Sequence, residues 1–249
     1  MKQPYPRKLS RDPIVEAIAE FRYSPAGQSG SGKLMLGYLY SRLKEKFGKL
    51  EDLPASQFPS QLKAIDPNFS YVPEYRLVGQ EGMLLVSDRS VAVAAATPYP
   101  GWNEFKRLVL DVWNCMRESG LVGTAERISV KYVNLIESPP AQDHIRLVDI
   151  RLSIGQKTLT AEPTMIRTEF TRDRQTRILQ LVSQAISQKS GTSETRNGLV
   201  LDIDSIYMGP FDDFWGEAEN LLELVHRDEK DLFFELLTEE TVRDYGPEF

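Results

Sequence analysis

Hydrophobic and polar residues follow one another in two rhythms along this chain, and the switches between them predict an antiparallel α+β protein. From Pro13 to Tyr23, PIVEAIAEFRY, the residues Val15, Ala17, Ala19 and Phe21 alternate with Glu16, Ile18, Glu20 and Arg22. That period of two predicts a strand with one charged flank. Between Lys33 and Phe47 the rhythm lengthens. Leu36, Leu39, Tyr40, Leu43 and Phe47 fall on one helical face, and Gly48 is placed to stop the helix. Residues 50–72 are irregular and interrupted by proline. Alternation returns from Glu74 to Thr97, where Gly79-Gln80-Glu81-Gly82 and Ser87-Asp88-Arg89-Ser90 suit hairpin turns. A second helix is predicted over Trp102–Ser119, with Trp102, Phe105, Val109, Val112, Trp113 and Met116 as its stripe. A strand, Arg127–Glu137, follows it.

The second half reads as strands over Ile145–Ile154, Leu159–Thr171, Arg177–Gln188 and Leu199–Met208, with turns at Gly155-Gln156 and Asp173-Arg174 and a polar loop over Ser190–Gly198. A last helix begins near Asp212-Asp213, whose carboxylates suit a helix start. Its apolar face runs through Phe214, Ala218, Leu221, Leu222 and Val225, and apolar residues resume at Leu232. Short connections between strands imply antiparallel pairing, and helices at intervals imply α+β. The chain is thus expected to be mainly antiparallel sheet packed by a few helices. Residues 1–140 would form an N-terminal α+β half and 141–249 a β-rich half with a terminal helix, able to pack as one compact unit. The first half matches a ferredoxin-like split β-α-β unit with an extra strand. The second admits a degenerate copy, although no internal repeat is strong enough to prove duplication.

Composition narrows the chemistry. The 249 residues contain two histidines, His144 and His226, and one cysteine, Cys115, none within a recognisable motif. Imidazole and thiolate metal sites need three or four such ligands, and nucleophilic relays need a base beside Ser or Cys. No metal and no cofactor is therefore expected. Cys115 reads as a small packed side chain, His144 as part of a polar loop and His226 as a surface residue. The net charge of −6 argues against non-specific nucleic-acid binding, which wants a basic surface. No apolar run reaches the ~20 residues of a membrane span, the lead-in lacks the apolar stretch of a signal peptide, and a lone cysteine suits a reducing compartment. A cytoplasmic location away from membranes is expected.

Two constellations carry candidate chemistry. Gly27-Gln28-Ser29-Gly30-Ser31-Gly32-Lys33 satisfies the spacing of a phosphate-binding P-loop, but Leu34 stands where a hydroxyl should hold Mg²⁺. The simpler reading is a loop ahead of a helix. On the strands, Glu16, Glu20, Arg22, Arg127, Lys131, Arg167, Glu169, Asp202 and Asp204 lie at alternating positions. Their expected role is a solvated sheet face. If they converged they would form a mixed-charge site for phosphate or a divalent ion. Aromatic residues beside the last helix, Phe211, Phe214 and Trp215, and further along it Phe233 and Phe234, are candidates for a protein interface.

The segments PIVEAIAEFRY, WNEFKRLVLDVW, RISVKYVNLIE and FFELLTEETVRDYG, taken in order, resemble a sporadically distributed family of uncharacterised bacterial proteins of about this length. In the third segment the match runs through Arg127, Tyr132 and Asn134. The resemblance implies no activity or cofactor, and its patchy distribution implies accessory roles, phage defence among them. The expectation from sequence is a non-catalytic subunit that binds a protein partner or a second copy of itself. The alternative is a phosphate- or nucleotide-handling enzyme using the charged strands and a divalent metal.

Overall fold

The computed structural model describes residues 5–27, 31–59, 65–139, 143–188 and 195–249. The first long strand, β2 (Ile14–Pro25), follows a short β1 (Lys8–Leu9) and alternates buried and half-buried positions as its sequence requires. Helix α1 (Ser31–Leu43) comes next, then strands β3 (Lys49–Asp52), β4 (Tyr75–Val78), β5 (Gly82–Val86) and β6 (Ser90–Ala95). Helix α2 (Trp102–Glu118) leads into β7 (Val122–Glu137). A small hairpin, β8 (Ser153–Ile154) with β9 (Lys157–Thr158), precedes the meander β10 (Met165–Arg172), β11 (Gln175–Gln188) and β12 (Thr195–Met208). The chain closes with α3 (Phe214–Leu236), α4 (Glu239–Asp244) and β13 (Pro247–Glu248), which pairs back onto β1.

Nine strands form one sheet in the order β10-β11-β12-β7-β2-β6-β5-β4-β3, every pair antiparallel. This is the α+β architecture that the pattern predicts. The sheet runs without a break from residues of the first half into those of the second. That second half adds a three-strand meander and one long helix to the β7 edge, not a copy of the β-α-β unit. In the first half β2 pairs antiparallel with both β6 and β7, because three strands rather than one separate α1 from β6.

The helices cover one face of the sheet. Phe21 sits at the centre of the larger core, stacked on Phe214 with centroids 4.6 Å apart and flanked by Trp113 and Trp215, each at 5.6 Å. A smaller core lies under the far end of α3 and gathers Leu179, Leu181, Leu201, Ile203, Phe233 and Phe234. Burying each such side chain contributes about 1.5–3 kcal/mol. Among the described residues no helix is long and apolar enough to cross a membrane.

Three local expectations are corrected. Helix α1 ends at Leu43, before the Gly48 stop, and a turn whose Lys46 and Phe47 N–H groups bond the Leu43 carbonyl still delivers Phe47 to the core. The strand expected over Ile145–Ile154 is a 3₁₀ turn (His144–Leu147), because Asp143 caps it and Ile145 and Val148 are buried at helical spacing. The strand expected from Leu159 begins only at Met165, after Pro163, which has no N–H for a ladder.

Candidate functional site

The strand charges expected to face water face one another instead. Arg127 Nη2 lies 3.4 Å from both Glu20 and Asp204, Arg22 bonds Glu20 at 2.8 Å, and Lys131 meets Asp202 at 2.9 Å. These six side chains are 16–31% exposed on the sheet face that the helices leave open. Burial outweighs the pull of Arg127 and raises Asp204 to about 6. The network joins three cations to three carboxylates, so it carries no surplus charge to attract a phosphate or a divalent ion. Arg167 and Glu169 pair apart from it on β10 at 2.6 Å, and Glu16 is exposed. Among the described residues no group of three or more His, Cys, Asp and Glu is placed to hold a metal.

Residues 28–30 of the glycine-rich string lie outside the described residues. Of the rest, Ser31 and Gly32 open α1 against Asp88: Ser31 Oγ donates to its carbonyl at 2.7 Å, and the Gly32 N–H meets its carboxylate at 3.4 Å. A carboxylate of the protein thus occupies the helix start where a phosphate would bind.

The proposed interface aromatics are drawn inward. Phe214 packs in the larger core, Phe233 and Phe234 in the smaller one, and Phe211 and Trp215 lie half-buried against Phe214 at 5.4 and 5.0 Å. Their apolar character is satisfied by the chain itself and no longer argues for a partner. His144 is buried rather than in an open polar loop. Its Nε2 donates to the Pro139 carbonyl at 3.0 Å and its Nδ1 accepts the Gln184 N–H at 2.9 Å, filling the bulge between Val182 and Ala185. Cys115 is partly buried against the larger core.

The concavity lies on the helical side, between the two cores. The polar run of α3 from His226 to Asp231 passes over the polar end of β7, and a cleft of about 910 Å³ opens there. That is within the size of small-molecule sites, about 300–1,000 Å³. The segment before β2 forms one wall, held in place by the pairing of β1 with β13. The lead-in to α2 forms another, turned by Gly101, whose φ of +93° few side-chain-bearing residues adopt.

Aromatic rings and buried polar groups line the interior. The His226 ring stacks on Trp102 with centroids 3.7 Å apart and 10° between planes. Trp102 Nε1 donates to Glu223, which also receives Lys106 at 2.8 Å. The Tyr132 hydroxyl lies 3.0 Å from that of Tyr99 and 3.3 Å from His226 Nδ1, giving a continuous hydrogen-bonded chain. Beside it sits Glu229, only 3% exposed, whose Oε1 has no hydrogen-bond partner. Its neighbour Asp228 is buried too but fully engaged, bonded by Arg177 Nε at 2.9 Å and by Ser205 Oγ at 2.5 Å.

Burial sets the charge state of this interior. Desolvation, reinforced by the Asp228 charge, holds Glu229 well above the usual carboxylate range. Desolvation also lifts Tyr99 and Tyr132 and lowers His226 to about 4. Burial thus works against the charged form of each of these groups. The surface position expected for His226 is overturned, and the stability consequence has a definite sign. The unfolded chain binds a proton near pH 6.5 and the folded chain only near 4, so stability is full above 6.5 and falls as the pH drops through 4. The loss is about 3 kcal/mol. Urea unfolding of wild type and His226→Phe, which keeps a ring on Trp102, is expected to show this extra acid loss in the wild type alone.

Sequence reasoning missed this site, yet its signal is present. Stepping three and four residues on from Val225 along the buried stripe of α3 lands on Asp228 and Glu229. On β7 the core-facing row Ile128, Val130, Tyr132, Asn134, Ile136 carries two polar residues where apolar ones are the rule. No protein-family model and no curated protein sequence matches the chain.

Proposed function

We propose that the protein is a non-catalytic binding protein, acting as an accessory component, whose recognition site is the cleft between β7, α2 and α3 and whose ligand is a small organic molecule. One observation carries this reading. Glu229 lines a cleft of ligand size with a carboxyl oxygen that is buried and unpartnered, and such groups are costly unless a ligand satisfies them. Trp102, Tyr99 and Tyr132 supply the aromatic walls typical of such sites. The charged strand face, internally neutralised, gives the nucleotide-handling alternative little support.

The reading is tested by thermal denaturation against a panel of small amines, alcohols and carboxylates. A ligand at one hundred times its Kd adds about 2.7 kcal/mol, or roughly 5–10 °C for a chain of this size. At least one compound is expected to shift the wild type and leave Glu229→Leu unmoved. No shift at millimolar concentration, or equal shifts in both proteins, would refute it.

A second reading, self-association, is favoured by one feature. Strand β10 is an edge of the sheet and carries Met165 and Phe170, 76% and 52% exposed. An open edge with apolar side chains is a template for pairing with another strand. Light scattering at dilute concentration tests it, and a strict monomer counts against it.

A further inference from the structure

Resting on the cleft as the binding site, we propose that its ligand is an organic amine whose ammonium group pairs with the unpartnered Glu229 carboxyl oxygen. Four cations, Arg7, Lys8, Arg227 and Lys230, line the cleft, and two of them are engaged elsewhere. Lys8 pairs with Glu248 at 3.1 Å, and Lys230 donates to the Arg7 carbonyl at 3.0 Å and lies over the Phe234 ring. Arg227 is exposed. None of these cations pairs with Glu229 Oε1. That unpartnered oxygen shares its surroundings with the hydroxyls of Tyr99 and Tyr132 and with the Trp102 ring. Aromatic rings present negative faces, so they attract an ammonium and repel a carboxylate or phosphate. An anion seated here would meet those rings, the carboxyl of Glu229 and, at the mouth, Asp12. An ammonium beside Glu229 would meet its carboxyl oxygen, the hydroxyl oxygens of Tyr99 and Tyr132 and the Trp102 ring.

The exchange balances. The neutral Glu229 acid and a protonated amine become a carboxylate–ammonium pair, and the Glu229 proton leaves to solvent, one for each ligand bound. The groups that tune this step are Asp228 and Lys230 on the same helix, and Tyr99, Tyr132 and Asp12 across the cleft. Burial and the Asp228 charge keep the proton on Glu229 in the free protein, with Lys230 opposing. Affinity is therefore expected to tighten with rising pH, by up to about tenfold per unit, until Glu229 ionises unaided.

The test uses the full chain and three probes of one shape: phenethylammonium, 2-phenylethanol and 3-phenylpropionate. Titration calorimetry in phosphate and in MOPS, neither of them a primary amine, at neutral pH measures both affinity and proton release, and tryptophan fluorescence, to which Trp102 contributes, reports entry into the cleft. The amine is expected to bind at least about tenfold tighter than the other two. Its heat should differ between buffers by release of a proton, and both effects should vanish in Glu229→Gln. If the alcohol or the carboxylate binds the cleft as well as the amine, or the amine binds without proton release, the amine inference fails and the cleft reading stands. If no probe binds at millimolar concentration, the amine inference fails, and the broader panel of amines, alcohols and carboxylates then decides the cleft reading separately.

Discussion

Glu229→Leu is expected to melt at a higher temperature than the wild type at neutral pH while losing the ligand. The substitution removes a buried polar group with an unsatisfied oxygen and puts an apolar chain of similar size between two hydrophobic clusters. An unsatisfied buried group costs about 1–3 kcal/mol, so the gain corresponds to roughly 2–12 °C. Ordinary core positions behave in the opposite way, because most substitutions there destabilise. A residue whose removal strengthens the fold and abolishes binding is held in place by function. Thermal denaturation of the two proteins, with and without the amine probe, measures both halves. A lower melting temperature for the variant would mean that Glu229 contributes to the fold and is not waiting for a partner.

The adjacent carboxylate should respond with the opposite sign. Arg177→Met is expected to cost about 3 kcal/mol, the low end of the range for removing one partner of a buried ion pair. Asp228 would keep only Ser205 Oγ, at 2.5 Å, to compensate a charge buried under the middle of α3. Arg177 is itself about a third exposed, which is why the low end applies. The melting temperature should fall by roughly 6–12 °C. Urea unfolding checks this, and a neutral result would show that Asp228 relaxes to water or takes up a proton without penalty. Two carboxylates one residue apart on a helix, with opposite mutational signs, separate a structural group from a functional one more cleanly than either variant alone.

Much of the fold is legible in the chain because its long strands face two different media. β2 and β12 each alternate between a packed helical side and the open sheet face, so a period of two is written into them. The start of α3 is legible because Asp213 caps it, accepting the Gly216 N–H at 3.0 Å, an interaction three residues long. What escapes is non-local. The charges on β2, β7 and β12 are visible as alternating positions, but only the register that sets Lys131 against Asp204 and Arg127 against Arg22 makes them neighbours. Phe211, Phe214 and Trp215 look like surplus aromatics until Phe21, far away in sequence, is found against Phe214 and Trp215, with Phe211 packed on Phe214. The cleft was hidden differently. Polarity alone puts His226 and its neighbours on the surface. The phase of the helix, which is equally local, puts Asp228 and Glu229 inside.

Glu229 lines an open cleft, and burial there opposes its charged form. A group whose folded pKa is raised contributes stability that is fully present below its unfolded value of 4.5 and is lost as the pH rises toward the folded value. Glutamine cannot ionise and carries no such penalty. The decisive measurement is the unfolding free energy of wild type and Glu229→Gln in urea at intervals from about pH 4 to about pH 8. The variant is expected to gain on the wild type as the pH rises above about 4.5. Two parallel curves would mean that Glu229 titrates as an ordinary carboxylate, and would contradict that expectation.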